Sequence, residues 1–419
     1  MTVTTKSVIQ AGFIPLIDAA PLIVAATKGF ADAEGITIEL SRATSWATIR
    51  DRLAVGQLDV AHALAPLPIA ANLGLNPLQQ SLTVPIAFGF GGNTIVLAMR
   101  HLARLRMSRD LDALDPTAAL DAIKGLVEKR RQANEPLLKL GVVHPHSAHR
   151  YNLEYWLAAR GLLSGRDVDI VVLPPSLMPA ALSAGRLDGF CAGEPWGSVA
   201  VANGDGAMLT TTTHIWPSGP EKVLAVRSEL ANDAPEVLQA LVRALYVACA
   251  WCDELENRDE LAQLLSRPEF VGADADQMTR SLARNLNGPT GERAYVASFL
   301  TFAKGAASFP WISHALWFSA QMARWSEIEL NATTLATVRA TYRPDIYRDA
   351  VRSLGADLPS ANAKVEGALN APQAAGSTLG RLTLAADGFF DGRVFDPDHI
   401  ETYLADLRVA DRRLPGRSS

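Results

Sequence analysis

Cysteine is scarce in this sequence. Its 419 residues include three, Cys191, Cys249 and Cys252, an odd set that argues against a disulfide framework. Cys249 and Cys252 form a C-x-x-C, but they fall inside a helical pattern from Pro235 to Leu255. Helix packing therefore accounts for them better than redox chemistry. A strong charge of one sign is missing too: 39 Lys and Arg stand against 44 Asp and Glu, a formal net charge of −5. No basic block stands out, which argues against nucleic acid as the direct ligand. Lys129-Arg130-Arg131 reads as the solvated end of a helix. No stretch approaches the roughly 20 apolar residues of a membrane span. The opening Met1 to Gln10 has no basic n-region, apolar core or small-residue cleavage site, so the sequence as written carries the expectation of a cytoplasmic protein. There is no nucleophile–base pair, Cys-rich segment or cofactor motif, and the expectation is a binding protein without cofactor, not an enzyme. His144, His146 and His149 have a metal-like spacing. Pro145 between the first two and the lack of neighbouring carboxylates or thiolates weigh against a metal, and one of them as an anion donor is the better reading.

What is present is a hydrophobic fraction of 48% with 20% charged residues, normal for a globular protein, in a chain too long for one ordinary core. One motif occurs twice. Gly185-Arg186-Leu187-Asp188, six residues, then Pro195 echoes Gly56-Gln57-Leu58-Asp59, six residues, then Pro66. Each copy follows a strand-like run (ending near Leu40 or Leu173) and a short amphipathic segment (Trp46 to Leu53, Ser176 to Ser183). Strand, helix, glycine turn and apolar strand are a unit of parallel sheet. Two such units predict two similar α/β lobes, with ligands expected at the carboxyl ends of the strands.

Taken in order, Ser7 to Phe13 predicts a strand, Ala19 to Phe30 a helix and Gly35 to Leu40 a second strand. Thr44 or Ser45 caps a helix whose first turn holds Trp46. Gly89-Phe90-Gly91-Gly92 makes a crossing into a strand from Asn93 to Met99. Residues 103–136 read as polar and helical, with Pro116 near the start of the main helix. Leu137 to Val143 is a strand, and a helix from about Tyr151 to Gly161 follows, whose N-terminus suits an anion. Lys222 opens the strand Val223 to Val226 and offers the cleft a full positive charge. Ser228 to Tyr347 is largely helical, with Trp311, Trp317 and Trp325 as core candidates. Ser353 to Arg381 reads as an irregular wrap, Asp396 to Leu407 as a helix, and the end from Pro415 as disordered.

Several of these stretches carry a resemblance. Gly12 to Leu22, Ser45 to Asp51, Ala61 to Pro66, Gly193-Glu194-Pro195-Trp196 and Pro220 to Leu224 resemble, in the same order, the nitrate- and bicarbonate-binding proteins of bacterial ABC transporters. The likeness runs from about Val8 to Leu407. It implies an α/β, periplasmic-binding-protein-like (type II) fold with an inter-lobe ligand cleft and a largely helical C-terminal part. The implied division is lobe 1 over residues 1–88, lobe 2 over 89–220, and a return to lobe 1 with the helical region and wrap over 221–419. Carried over by position, the nitrate ligands are Trp46, Asn93, His149, Gly193 and Lys222, with Asn93 where the transporter proteins have Gln. Nitrate is planar and only accepts hydrogen bonds, so these donors suit it. Bicarbonate also needs an acceptor, and Glu194 reads instead as a residue that fixes its turn. The absence of a leader aligns the chain with the cytoplasmic nitrate-sensor (NasS-like) branch. That branch holds an ANTAR-type RNA-binding antiterminator (NasT-like) inactive until nitrate or nitrite arrives. The alternatives are a transporter binding protein shorn of its leader, and a lyase or synthase on the same fold.

Overall fold

In the computed structural model of the chain, described over residues 6–102, 104–105, 114–289 and 291–412, two five-stranded sheets follow one plan. The strands of the first are β1 (Ser7–Phe13), β2 (Ile36–Arg42), β3 (Val60–Leu64) and β4 (Leu82–Thr83). The second contains β5 (Asn93–Ala98), β6 (Leu138–Val142), β7 (Val168–Val172), β8 (Gly189–Gly193) and β9 (Gly206–Thr211), after which β10 (Lys222–Arg227) returns to the first. The orders are β2-β1-β3-β10-β4 and β7-β6-β8-β5-β9. In each, three strands run parallel, and the fourth, which comes from the crossing between lobes, pairs antiparallel. The fold class expected from the sequence is the one observed.

The repeated motif explains this plan residue by residue. Gly56 and Gly185 adopt φ of 73° and 70°, a left-handed turn that ends the preceding helix at little cost because glycine has no Cβ. Leu58 and Leu187 then plug the core at 0% and 1% exposure. Each leucine presses on a glycine of the neighbouring strand, and a Cβ on Gly12 or Gly141 would lie 2.5 Å or 2.9 Å from it. The two aspartates do the same work. Asp59 accepts from the Gln10 backbone N–H at 2.8 Å, and Asp188 from that of Lys139 at 2.9 Å. Each pins the start of β3 or β8 to the strand beside it. The register is therefore written locally, and twice.

The chain crosses between the sheets at 84–92 and again at 216–221, and the two crossings run side by side. Phe90 bridges Pro220, and the Phe88 N–H donates to the Lys222 carbonyl at 2.9 Å. Gly89 shows why this segment is glycine-rich. Its φ is +107°, and a Cβ there would lie 2.2 Å from the Thr301 carbonyl oxygen.

Several expectations shift in detail. The predicted first helix is two pieces, Ala20–Thr27 and Phe30–Ala33, because Gly29 between them sits at φ 81°. The helix after His149 begins earlier, at Ala148, capped by the Ser147 side chain accepting from the Arg150 N–H. The polar segment resolves into Met99–Leu102 and Pro116–Gln132, with residues 103 and 106–113 outside the described residues, as is the end from Pro415. The region from Ser228 to Tyr347 is largely helical, interrupted between Leu282 and Ile312 by a hairpin, Asn285–Asn287 with Arg293–Tyr295, and the loop after it. Helix Pro235–Asp253 packs on Ala20–Thr27 and buries Cys249 and Cys252, whose thiols burial pushes well up. Helix Ile312–Arg324 touches both lobes, through Pro66–Asn72 and Ala148–Ala158. Trp311 and Trp317 are core, and Trp325 packs against its edge. Lys129, Arg130 and Arg131 are used locally, on the Arg104 carbonyl, the Pro136 carbonyl and Asp167. Among the described residues, no helix is long and apolar enough to cross a membrane.

Candidate functional site

All the residues implied by the resemblance come to one edge of the two sheets, where the strand plan puts them. Trp46 opens the helix after β2, Gly193 ends β8, and His149 lies in the first turn of the helix after β6. Asn93 and Lys222 begin the antiparallel strands β5 and β10, so strand starts meet strand ends. Asn93 and Gly193 are direct partners across β5 and β8. The lobes are held shut above them: the Trp196 indole N–H donates to the Pro15 carbonyl at 3.0 Å, and the Ile17 N–H to the Glu194 carbonyl at 2.9 Å. Trp46, Asn93 and His149 are fully buried and Lys222 is 1% exposed.

Three residues without an assigned role in the sequence complete the site. The Lys222 ammonium donates to Asp18 Oδ2 at 2.8 Å, and His62 Nε2 stands 2.9 Å from Asp18 Oδ1. Lys222 does not bring a bare positive charge, because Asp18 neutralises it. Burial pushes the Asp18 carboxyl up, but the Lys222 charge and the His62 hydrogen bond outweigh it and hold the group well below the usual carboxylate range. Burial lowers His62 despite Asp18, so its ring is neutral and Nε2 is the donor. Burial, with help from Lys222, drives His149 well below its ordinary value, leaving a neutral ring with one N–H to give. The Trp46 ring lies 5.4 Å from His62 and 5.9 Å from the Lys222 ammonium, measured to ring centroids.

The third is Glu221, beside Lys222. One oxygen accepts from the Thr212 hydroxyl at 2.8 Å, and the other has no protein partner. Burial pushes its carboxyl up to about 7, against the pull of Lys222. The Asn93 amide approaches Glu221 but lacks hydrogen-bond geometry. Glu194, by contrast, is fully occupied: Thr94, Ser198 and Ser281 all donate to it, at 3.1, 3.1 and 2.8 Å. It fixes the turn, as the sequence suggested.

Buried polar atoms are normally paired, yet here several are not. The Trp46 indole N–H, both ends of the Asn93 amide and both His149 ring nitrogens are buried with no protein partner. Leaving one such group unpaired costs about 1–3 kcal/mol. A cluster of unpaired atoms around one ammonium, between two lobes, has the chemistry to take a small acceptor. Gly193 keeps it narrow, since a Cβ there would lie 3.2 Å from Leu16 and 3.3 Å from the Asn93 amide oxygen. His144 and His146 do not share it. The His144 ring accepts from the His146 N–H, and His146 turns to Tyr151 and Glu327. Among the described residues no group of three or more His, Cys, Asp or Glu side chains is placed to hold a metal ion.

Glu221 gives the site a pH dependence. Below about pH 7 its carboxyl is neutral, and above that it becomes an anion next to any bound anion. Anion affinity is therefore expected to be level at lower pH and to fall above neutrality by up to about tenfold per pH unit. Glu221→Gln should flatten the profile. Titrations across pH 5.5–8.5 check this, and a level wild-type profile contradicts it.

Known proteins carry the same architecture. A sequence profile of the NMT1-like family matches residues 4–266. The nitrate import ATP-binding protein NrtC of Synechocystis sp. is 33% identical over 82% of this chain, which spans 50% of that longer protein. The nitrate/nitrite binding protein NrtA of Synechococcus elongatus is 30% identical over 95% of this chain and 85% of its own length. The crystal structure of the periplasmic nitrate-binding protein NrtA from Synechocystis superposes with a TM-score of 0.83 at 28% identity, covering 96% of this chain and 98% of that one. These relatives are nitrate-binding and nitrate-import proteins. By these matches the chain belongs to the NMT1-like family, among the nitrate- and bicarbonate-binding proteins.

Proposed function

We propose that the chain binds nitrate or nitrite between its lobes, and that it is a cytoplasmic sensor whose anion-bound form releases an ANTAR-type antiterminator of nitrate-assimilation genes. The observation that carries the anion reading is the set of unpaired buried donors, Trp46, Asn93 and His149, around Lys222. Nitrate spreads one charge over three acceptor oxygens, so several neutral donors and one ammonium match it. The family's bicarbonate binders make that ion the natural competitor. Its O–H needs an acceptor, and the free oxygen of Glu221 serves only when ionised. A binding protein delivering the anion to a membrane transporter would share this site, and the likeness to NrtA over 95% of this chain favours that as the second reading.

Calorimetry of nitrate, nitrite and bicarbonate against the purified chain tests the anion reading. One nitrate per chain is expected, with bicarbonate weaker at pH 6.5. His149→Ala should weaken nitrate by about tenfold or more, as the loss of a hydrogen bond to an ion implies. Bicarbonate binding more tightly than nitrate would overturn the assignment.

A further inference from the structure

A second cavity, of about 520 Å³, lies behind the crossings that join the lobes. Its walls come from four distant parts of the chain. Phe90 belongs to the first crossing, Pro217 and Ser218 to the second, and Arg284 and Lys304 to the hairpin region. Leu384, Ala385 and Asp387 close it from the C-terminal wrap. The size falls within the range of small-molecule sites, and an apolar wall with a few converging polar groups is what such sites have.

The charges in the wall are unequal in their freedom. Lys364 is committed, held by both Glu366 and Asp387. Arg284 meets no carboxylate at ion-pair distance among the described residues. Its guanidinium donates to the Ala297 carbonyl at 2.7 Å and, weakly, to the Thr301 hydroxyl at 3.4 Å, while its buried Nε–H has no partner. Arg284 also holds φ +61°, a strained conformation for a side chain this size, of a kind that gathers at ligand sites. Among the described residues Lys304 reaches the Asp253 carbonyl at 3.3 Å and Glu254 at 3.9 Å, and its side chain is 60% exposed at the cavity's edge. Two under-used cations beside Phe90, Pro217 and Leu384 fit an anion with an apolar body.

We propose that this cavity is a second ligand site, taking a small organic carboxylate with its head on Arg284 and Lys304 and its body against Phe90, Pro217 and Leu384. The occupant touches both crossings at once. Asn93 follows the first within three residues of Phe90, and Lys222 directly follows the second, so a ligand here is coupled to the cleft through the segments that join the lobes. The coupling rests on the nitrate reading; the site itself does not.

Phenylacetate and cyclohexanecarboxylate are the probes, with their neutral amides as controls, titrated calorimetrically against the full chain without nitrate. The carboxylates are expected to bind one per chain, and the amides at least about tenfold more weakly. Arg284→Gln and Lys304→Gln should each weaken the carboxylates by a similar factor. Ala385→Trp, at an exposed wall position that tolerates bulk without disturbing the core, should block them. No binding at millimolar concentration overturns the site, as does binding that neither Arg284→Gln nor Ala385→Trp reduces. Nitrate titrated with and without saturating phenylacetate then reads the coupling, and identical nitrate affinities overturn it. Carboxylate binding in a chain that takes no nitrate would overturn the cleft reading and leave the second site in place.

Discussion

Lys222→Met is expected to lose nitrate binding by a hundredfold or more and to destabilise the protein. Both effects come from one ion pair. The Lys222 and Asp18 side chains are 0% and 4% exposed, and removing one partner of such a pair costs about 3–5 kcal/mol because the other charge stays buried and uncompensated. A loss of binding in this variant alone is therefore ambiguous. Asp18→Asn resolves it. An asparagine oxygen can still accept from His62, so Asp18→Asn/Lys222→Met should regain most of the lost stability, replacing an ion pair with neutral groups of similar size. It should not regain binding. Asp18→Asn alone has the opposite sign for the ligand: Lys222 loses its counter-ion, the protein weakens, and at a pH low enough to keep Glu221 protonated nitrate is the anion that can satisfy it. Nitrate should then stabilise this variant more than it stabilises wild type, in thermal melts with and without the ion. If the double variant binds nitrate as wild type does, Lys222 is a structural residue and the site is misassigned.

The second large effect concerns the antiterminator proposed as partner. In the proposed site, nitrate held by Trp46 on one lobe and by His149 and Gly193 on the other would be fully bound only when the lobes are shut, as the Trp196–Pro15 and Ile17–Glu194 contacts shut them. A ligand shifts a population only through unequal affinity for the two shapes. An antiterminator that grips the open form is expelled by closure, and linkage requires the partner to weaken nitrate by the same factor that nitrate weakens the partner. A coupling of about 1–3 kcal/mol, or roughly 5–150-fold, is ordinary. Nitrate titrated with and without saturating partner should differ by that factor. Trp196→Phe, which removes the indole donor to Pro15, should reduce it. Equal nitrate affinities in the two titrations would refute the switch.

The sequence carried those parts of this account that are local. The G-x-L-D repeat was legible because each of its residues acts within one turn or on the adjacent strand, and the two copies share one geometry. Ser45 capped its helix as expected, accepting from the Thr48 N–H. The family resemblance pointed at Trp46, Asn93, His149, Gly193 and Lys222, which the fold brings to one edge of the sheets, but not at their partners. Asp18 and His62 lay inside the stretches that carried the resemblance, yet nothing in one dimension pairs Asp18 with a lysine 204 residues away. Glu221 was missed for the same reason: a glutamate beside a lysine reads as a solvated surface pair, and only burial reveals a carboxyl poised near neutrality. The break at Gly29 was available as a glycine inside a helical pattern. The hairpin at Asn285–Tyr295 had a turn signal, Asn287-Gly288-Pro289, outweighed by the helical periodicity on either side.

The central claim is that a small anion sits among these buried donors with Lys222 as its charge partner. The most direct test is calorimetry of nitrate at pH 6.5 against wild type and Asp18→Asn/Lys222→Met side by side, each first shown to be folded by its thermal melt. The account predicts one nitrate per chain for wild type and no measurable heat for the double variant. Matching isotherms, or no binding by either, would contradict it.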